Sequence, residues 1–176
     1  KARGTGRTTV ETTQLASGTL FIHSAPTALR SHIEWAADAA FVVPAPLRWT
    51  SQPVEPGTWR TETPWRGDVV DAGKFISTLA AWQRVRVEMT VETGAVPHRW
   101  SLTPSLGIFS AHTDEAGSVL VDEMRLRAAV TAARRTGLRL EDEICDLLGE
   151  PWDVELEAYR ACDPSLDVSW LAREVG

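Results

Sequence analysis

Two periods of apolar and polar residues alternate along the first half of the chain. A period of two, typical of half-buried strands, marks residues 19–24, 47–50, 59–65 and 85–92. A helical period marks residues 27–41 and 71–80, with Pro26 and Asp68 just before the helices. The order β-α-β-β-α-β predicts a ferredoxin-like α+β sandwich, in which one layer of helices covers one face of the sheet.

The second half of the pattern extends this sandwich by a β-hairpin and a C-terminal helical segment. Strands are predicted at residues 99–103, 106–113 and 118–121, with a Gly-containing turn before the last one. Asp122 begins a helix that Gly137 ends, and further helices are predicted at 140–148 and 151–160. A short strand or turn at 166–171 closes the chain.

The pattern predicts one α+β domain over residues 18–176, divided into a βαββαβ half (18–93) and a hairpin-plus-helix half (94–176). Residues 1–17 are polar and without periodicity, so they are predicted to form a tail. They lack the apolar segment of a secretory signal. No apolar run is long enough to span a membrane, and the two cysteines follow no metal-ligand spacing. A cytoplasmic protein without cofactor or bound metal is the resulting expectation.

The net charge of −6 is unevenly distributed over the 176 residues. Residues 1–88 carry ten basic and eight acidic side chains, whereas residues 89–176 carry eight and sixteen. An acidic chain lacks the basic footprint of general nucleic-acid binding. Trp49, Trp59 and Trp65 alternate with arginines and could stack single-stranded nucleic acid, but the RNA-binding aromatic motifs are missing. Nucleic acid is therefore not the predicted partner.

Polar residues near the end of the first strand are the candidates for chemistry. Ser24 stands between a strand and a helix start, where backbone N–H groups favour an anion, but no glycine flanks it as in a nucleophile elbow. Histidines could join it if the fold brought them together, although their spacing matches no known metal motif. The alternative hypothesis of a small enzyme or ligand-binding site rests on His23, Ser24, His32, His112 and Asp114.

A run of acidic residues within positions 141–157 is either a solvated face or a docking surface for a basic partner. Trp152 in the same segment could anchor a partner or attach the helices to the sheet. The residues predicted to bind a partner, including basic residues of the tail, are Lys1, Arg3, Arg7, Glu141, Asp142, Glu150, Trp152, Asp153 and Glu157.

Several strings of the sequence resemble a family of actinobacterial proteins described as a domain of unknown function (number 3145). They are Leu20–Pro26, His32–Ala36, Arg48–Pro53, Leu106–Asp114 and Leu148–Asp153. The resemblance covers about residues 18–171 and brings no established catalytic residues. It implies an association with fatty-acid synthesis genes.

The resulting hypothesis is a non-enzymatic accessory subunit that docks to a larger enzyme complex. The missing catalytic constellation, the acidic helices and the eight tryptophans favour it. By the association that the resemblance implies, the partner would be an enzyme of fatty-acid or acyl-CoA metabolism, such as an acyl-CoA carboxylase.

Overall fold

A computed structural model describes residues 15–94 and 96–160. Within these residues the chain forms eight strands and five α-helices. The strands are β1 (Leu15–Pro26), β2 (Phe41–Val42), β3 (Thr50–Ser51), β4 (Thr58–Asp68), β5 (Arg86–Val91), β6 (His98–Thr103), β7 (Gly107–Thr113) and β8 (Val119–Leu120). The helices are α1 (Arg30–Ala40), α2 (Val69–Trp82), α3 (Glu123–Thr136), α4 (Leu140–Leu148) and α5 (Glu150–Arg160).

All strands belong to one antiparallel sheet in the order β2-β4-β1-β5-β6-β7-β8, with β3 paired to the other end of β4. Strands β4 and β5 are connected by α2 and have β1 between them, which is a split βαβ unit. The predicted α+β class is therefore confirmed, and the βαββαβ order is found with one additional short strand, β2, between α1 and β3. The hairpins β5-β6, β6-β7 and β7-β8 extend the sheet beyond β5.

Several boundaries differ from the prediction, and the strand predicted at 47–50 is found as β3 at Thr50–Ser51. Phe41, predicted as the last residue of a helix, and Val42 after it form β2 and pair with Gly67 and Arg66. Strand β1 already begins at Leu15, inside the segment predicted as a tail, because it pairs with the full length of β4. The rest of the tail and the segment 166–171 lie outside the described residues, as do the tail's three predicted partner-binding residues Lys1, Arg3 and Arg7.

The first face of the sheet carries the apolar core. Leu20, Ile22, Val87 and Met89 alternate along β1 and β5, are buried, and pack under α1 and α2. On β4, Trp65 is buried in the same core, and its Nε1 donates a hydrogen bond to the Thr90 carbonyl (3.0 Å). The predicted helices thus cover this face.

The second face of the sheet is covered by α5, whereas the sequence predicted helices on one face only. Leu156 of α5 is fully buried. Trp152 packs against Phe109 of β7 with ring centroids 5.3 Å apart, and its Nε1 donates to the Gly107 carbonyl (3.0 Å). Gly149, which ends α4 with φ +80°, lies directly over the Phe109 ring. Trp152 therefore attaches the C-terminal helices to the sheet.

The helix boundaries follow their capping residues. Asp122 accepts a hydrogen bond from the Arg125 backbone N–H (2.9 Å) at the start of α3, and Gly137 ends α3 in the left-handed conformation (φ 73°). Asp68 accepts from the Val70 backbone N–H (2.7 Å) at the start of α2. In the described part of the chain, no helix has the length and apolar character that crossing a membrane requires.

Candidate functional site

A β-bulge in the central strand β1 sets the direction of the side chains predicted to carry chemistry. Ile22 pairs with Val87, but Ser24, not His23, pairs with Arg86. One extra residue therefore lies on β1 at this point, so that His23 and Ser24 both contact residues on the second face. The bulge places two consecutive polar side chains beneath α5.

His23 belongs to a chain of charged groups that joins β1, β5 and α5. Its Nε2 lies 2.7 Å from Glu88 Oε2. The same carboxylate accepts hydrogen bonds from Arg160 Nε (2.8 Å) and Nη2 (2.5 Å). Arg160 also donates to Asp153 (2.6 Å), and Asp153 accepts from Arg99 Nη2 on β6 (3.0 Å). We call these five residues the ion-pair chain.

The ion-pair chain changes the acidity of its central carboxyl. Burial alone raises the pKa of Glu88, but hydrogen bonds and positive charge from Arg160 and His23 outweigh burial and lower it to about 2. The hydrogen bond to Glu88 correspondingly raises the pKa of Arg160. A carboxylate held in its ionised form by two donors serves as an anchor, because a general base must accept a proton near neutral pH.

Ser24 belongs to a second polar group beside the ion-pair chain. Its hydroxyl donates to the carboxylate of Glu55, which also accepts from Arg86 Nη1 (3.0 Å). Tyr159 of α5 stacks on the Arg86 guanidinium at 4.4 Å. Gln52 Nε2 donates to the backbone carbonyl of His23 (2.7 Å) and closes the bulge. The bulge residues thus hold α5 and the 52–55 loop in place.

The other residues of the predicted site do not join His23 and Ser24. His112 lies on β7, three strands from β1, so the strand spacing alone separates the two backbones by about 14 Å. His32 is exposed on α1, where its ring contacts Trp35 (5.6 Å between centroids). Asp114 accepts hydrogen bonds from two backbone N–H groups of its own turn (2.9 and 2.8 Å). The convergence that the alternative hypothesis requires is therefore absent among these five residues, because strand alternation and sheet order place them apart.

The acidic run is divided between the interior and the surface. Asp153 belongs to the ion-pair chain, and Glu155 lies 3.4 Å from Arg86. Trp152 is packed on Phe109. The other predicted partner-binding residues of the run are exposed: Glu141, Asp142, Glu150 and Glu157. These four can present their charge to a partner without first breaking the packing of α5 on the sheet.

The tryptophans predicted to form a stacking face are occupied within the molecule. Trp65 is buried in the core. The Arg30 guanidinium lies over the rings of Trp49 (5.3 Å) and Trp59 (4.4 Å). Both rings therefore stack on a cation of the same chain.

An exposed groove beside α1 is a feature that the sequence pattern did not single out. Trp35 is 69% exposed, although a tryptophan usually buries most of its surface. The adjoining groove of about 370 Å³ is lined by Glu34, Trp35, Asp38 and residues 43–47, which include two prolines. We call this set the Trp35 groove. A tryptophan on the otherwise polar face of a helix is the sequence signal that could have revealed this groove.

A pair of histidines on neighbouring strands is the second feature that the sequence did not reveal. His98 of β6 pairs with His112 of β7, and their Nδ1 atoms are 3.3 Å apart. Burial, and next the charge of His112, lower the pKa of His98 to about 4. The described residues contain no cluster of three or more His, Cys, Asp or Glu side chains suited to a metal ion.

The comparisons with known proteins give one result. Residues 19–173 match the family described as "Protein of unknown function (DUF3145)", and the chain belongs to that family. No curated protein and no solved structure matches the chain.

Proposed function

We propose that this member of the DUF3145 family is a non-enzymatic accessory subunit that binds a larger protein through the Trp35 groove. The observation that carries the proposal is the exposure of Trp35. Exposed tryptophans beside a concave apolar surface are typical anchors of protein interfaces, because a large ring buries much area on binding. Val42, 74% exposed on the edge strand β2, lies next in the chain to the groove-lining segment 43–47 and adds apolar surface.

Charge defines the partner side chain that fits the groove. Glu34 and Asp38 lie one helical turn apart on α1 and flank Trp35. Trp49 Nε1 donates to Glu34 (2.6 Å), which fixes the position of that carboxylate. No basic residue lines the Trp35 groove in the described part of the chain. A lysine or arginine of the partner would meet two carboxylates and the face of an indole ring.

The polar centre of the molecule supports a non-enzymatic role. His23, Ser24 and Glu88 were the groups closest to a catalytic arrangement, and each has a partner within the chain. Their hydrogen bonds connect the sheet with α5. A buried ion pair that loses one partner leaves an uncompensated charge, so using these groups on a substrate would destabilise the fold.

The partner that we propose belongs to the class of enzymes expected from the family resemblance. We propose a larger cytoplasmic enzyme complex of fatty-acid or acyl-CoA metabolism, such as an acyl-CoA carboxylase. The exposed acidic residues Glu141, Asp142, Glu150 and Glu157 would steer a basic surface of that complex during encounter.

The experiment is capture of the partner by three forms of the chain. Wild type, Trp35→Ala and Met124→Ala are compared, because Met124 on α3 is 72% exposed and controls for loss of an equally exposed apolar side chain. Wild type and Met124→Ala should capture the same protein stoichiometrically from native lysate, and Trp35→Ala should lose it. Mass spectrometry identifies the captured protein.

Two results would overturn the proposal. One is a chain that elutes as a monomer from native lysate without a stoichiometric partner. The other is a complex that Trp35→Ala and Met124→Ala retain equally, since the groove would then lie outside the interface. Capture of a protein from outside acyl-CoA metabolism would leave the groove as the proposed interface and would exclude the proposed class of partner.

A further inference from the structure

We propose that His98 and His112 form a two-histidine chelate for a divalent transition-metal ion on the surface of β6 and β7. The two residues are directly opposite each other in the antiparallel pair. Thr113 N donates to the Pro97 carbonyl (3.0 Å) at the neighbouring pair, so the histidine pair is one without backbone hydrogen bonds. Side chains approach each other most closely at such positions.

The distance between the two nitrogen atoms fits a shared metal ion. The Nδ1 atoms are 3.3 Å apart. Two imidazole ligands about 2.0–2.1 Å from a tetrahedral Zn²⁺ ion are separated by about 3.3–3.4 Å. The same separation is within hydrogen-bonding distance, so a bound ion would replace the hydrogen bond between the two rings. The observed separation therefore matches a tetrahedral edge without any movement of the two strands.

A third side chain orients the first ring. His98 Nε2 lies 2.8 Å from Ser110 Oγ, which is exposed on β7. When Nε2–H donates to Ser110, the lone pair of the ring is on Nδ1, the atom that faces His112. Metal-bound histidines almost always donate their second nitrogen in this way. Ser110 is therefore a positioning residue of the chelate.

The ligand type defines the class of ion. Imidazole nitrogen suits Zn²⁺, Cu²⁺ and Ni²⁺, whereas Mg²⁺ and Ca²⁺ prefer oxygen. Two protein ligands leave two positions of a tetrahedral ion open, and the exposure of His112 makes them accessible to water or to a ligand of another chain. The inference is independent of the Trp35 groove.

The test is calorimetric titration of the untagged full chain with ZnCl₂ in a buffer that does not chelate metal. Wild type should bind one ion per chain, bind Cu²⁺ more tightly than Zn²⁺, and give no heat with Mg²⁺. His112→Ala and His98→Ala should each weaken Zn²⁺ binding by about tenfold or more. His32→Ala removes an exposed histidine from α1 and should leave the isotherm unchanged.

A second readout uses the wild-type chain, so it does not depend on how a variant folds. The ring resonances of His98 and His112 should shift during Zn²⁺ titration, and that of His32 should not. Absence of Zn²⁺ binding by wild type, an isotherm that His112→Ala leaves unchanged, or unmoved resonances of the pair would overturn the proposal.

Discussion

Replacing Glu88 by Gln tests whether the ion-pair chain holds α5 on the sheet. The substitution keeps the size of the side chain and removes the charge that faces His23 and Arg160. The Glu88 side chain is 15% exposed, so water screens its interactions only weakly. Arg160 keeps its ion pair with Asp153, which leaves α5 a second attachment.

The magnitude follows from the acidity of the Glu88 carboxyl. Its pKa is lowered from 4.5 to about 2 in the folded protein, because the donors Arg160 and His23 outweigh burial. Each pKa unit corresponds to about 1.36 kcal/mol, so the ionised carboxylate contributes roughly 3 kcal/mol to the free energy of unfolding. Since the folded pKa is the lower one, this contribution is complete above the unfolded value and is lost as the pH falls toward 2. Roughly 2 kcal/mol is lost by pH 3.

The assay is urea unfolding followed by tryptophan fluorescence at pH 7 and pH 3. Glu88→Gln should lower the free energy of unfolding by about 3 kcal/mol at pH 7 and by about 1 kcal/mol at pH 3. Glu123→Gln is the matched control, because Glu123 also pairs with an arginine (Arg127, 2.7 Å) but is 74% exposed. Its effect should stay below about 1 kcal/mol at both pH values.

Two outcomes would refute the reasoning. If Glu88→Gln costs the same free energy at pH 7 and pH 3, the loss comes from packing and not from the ionised carboxylate. If Glu88→Gln costs no more than Glu123→Gln, the ion-pair chain does not stabilise the contact between α5 and the sheet.

Two further pairs of substitutions, each with its own control, test the packing. Gly149→Ala should destabilise the chain by about 2 kcal/mol or more, because the residue has φ +80° and its Cβ would lie 2.6 Å from the Phe109 ring. Gly137→Ala, at φ +73° with open space around it, should lower the free energy of unfolding by only about 1 kcal/mol. Thermal unfolding of both glycine variants measures the difference. Trp65→Phe should lower the free energy of urea unfolding by about 2 kcal/mol, since the buried indole donates to a β5 carbonyl (3.0 Å), whereas Trp35→Phe at 69% exposure should change it little.

The sequence predicts the first face of the sheet well because local signals and burial agree there. The alternation over residues 85–92 is that of a strand with one apolar side, and β5 has its apolar residues in the core. Asp122 and Gly137 occupy the ends of α3 as their capping chemistry requires. Each of these signals operates within a few residues, so a single sequence is sufficient.

The bulge in β1 and the short strand β2 leave no comparable signal. A bulge changes the register by one residue but leaves the alternation before and after it intact. The sequence pattern therefore assigns His23 and Ser24 to opposite faces of one strand. Two residues, Phe41 and Val42, are too few to show a period of two. The approach of His98 to His112 depends on the β6-β7 register, which the turn between the strands sets.

The second face of the sheet explains why the acidic run is difficult to interpret from sequence. Arg86 and Glu88 alternate with apolar residues on β5, a pattern typical of a strand face that is open to water, because charged residues are seldom buried without a counter-charge. Their counter-charges lie far away in sequence: Arg160 of α5 bonds to Glu88 over 72 positions, and Arg86 pairs with Glu55 of the 52–55 loop and with Glu155 of α5. The inward face of α5 carries Trp152, Asp153, Leu156 and Arg160 at helical spacing.

Such a face has both apolar and charged members, so a search for an apolar stripe does not find it. It becomes recognisable only when the charges of the helix and those of the strand are compared as complementary sets. The same comparison decides which acidic residues remain for a partner. Asp153 neutralises Arg99 and Arg160 inside the molecule, whereas Glu141, Asp142 and Glu150 lie on the exposed side of α4 and α5. The proposed charge steering toward a basic partner would therefore depend on these exposed residues and on the carboxylates of the Trp35 groove.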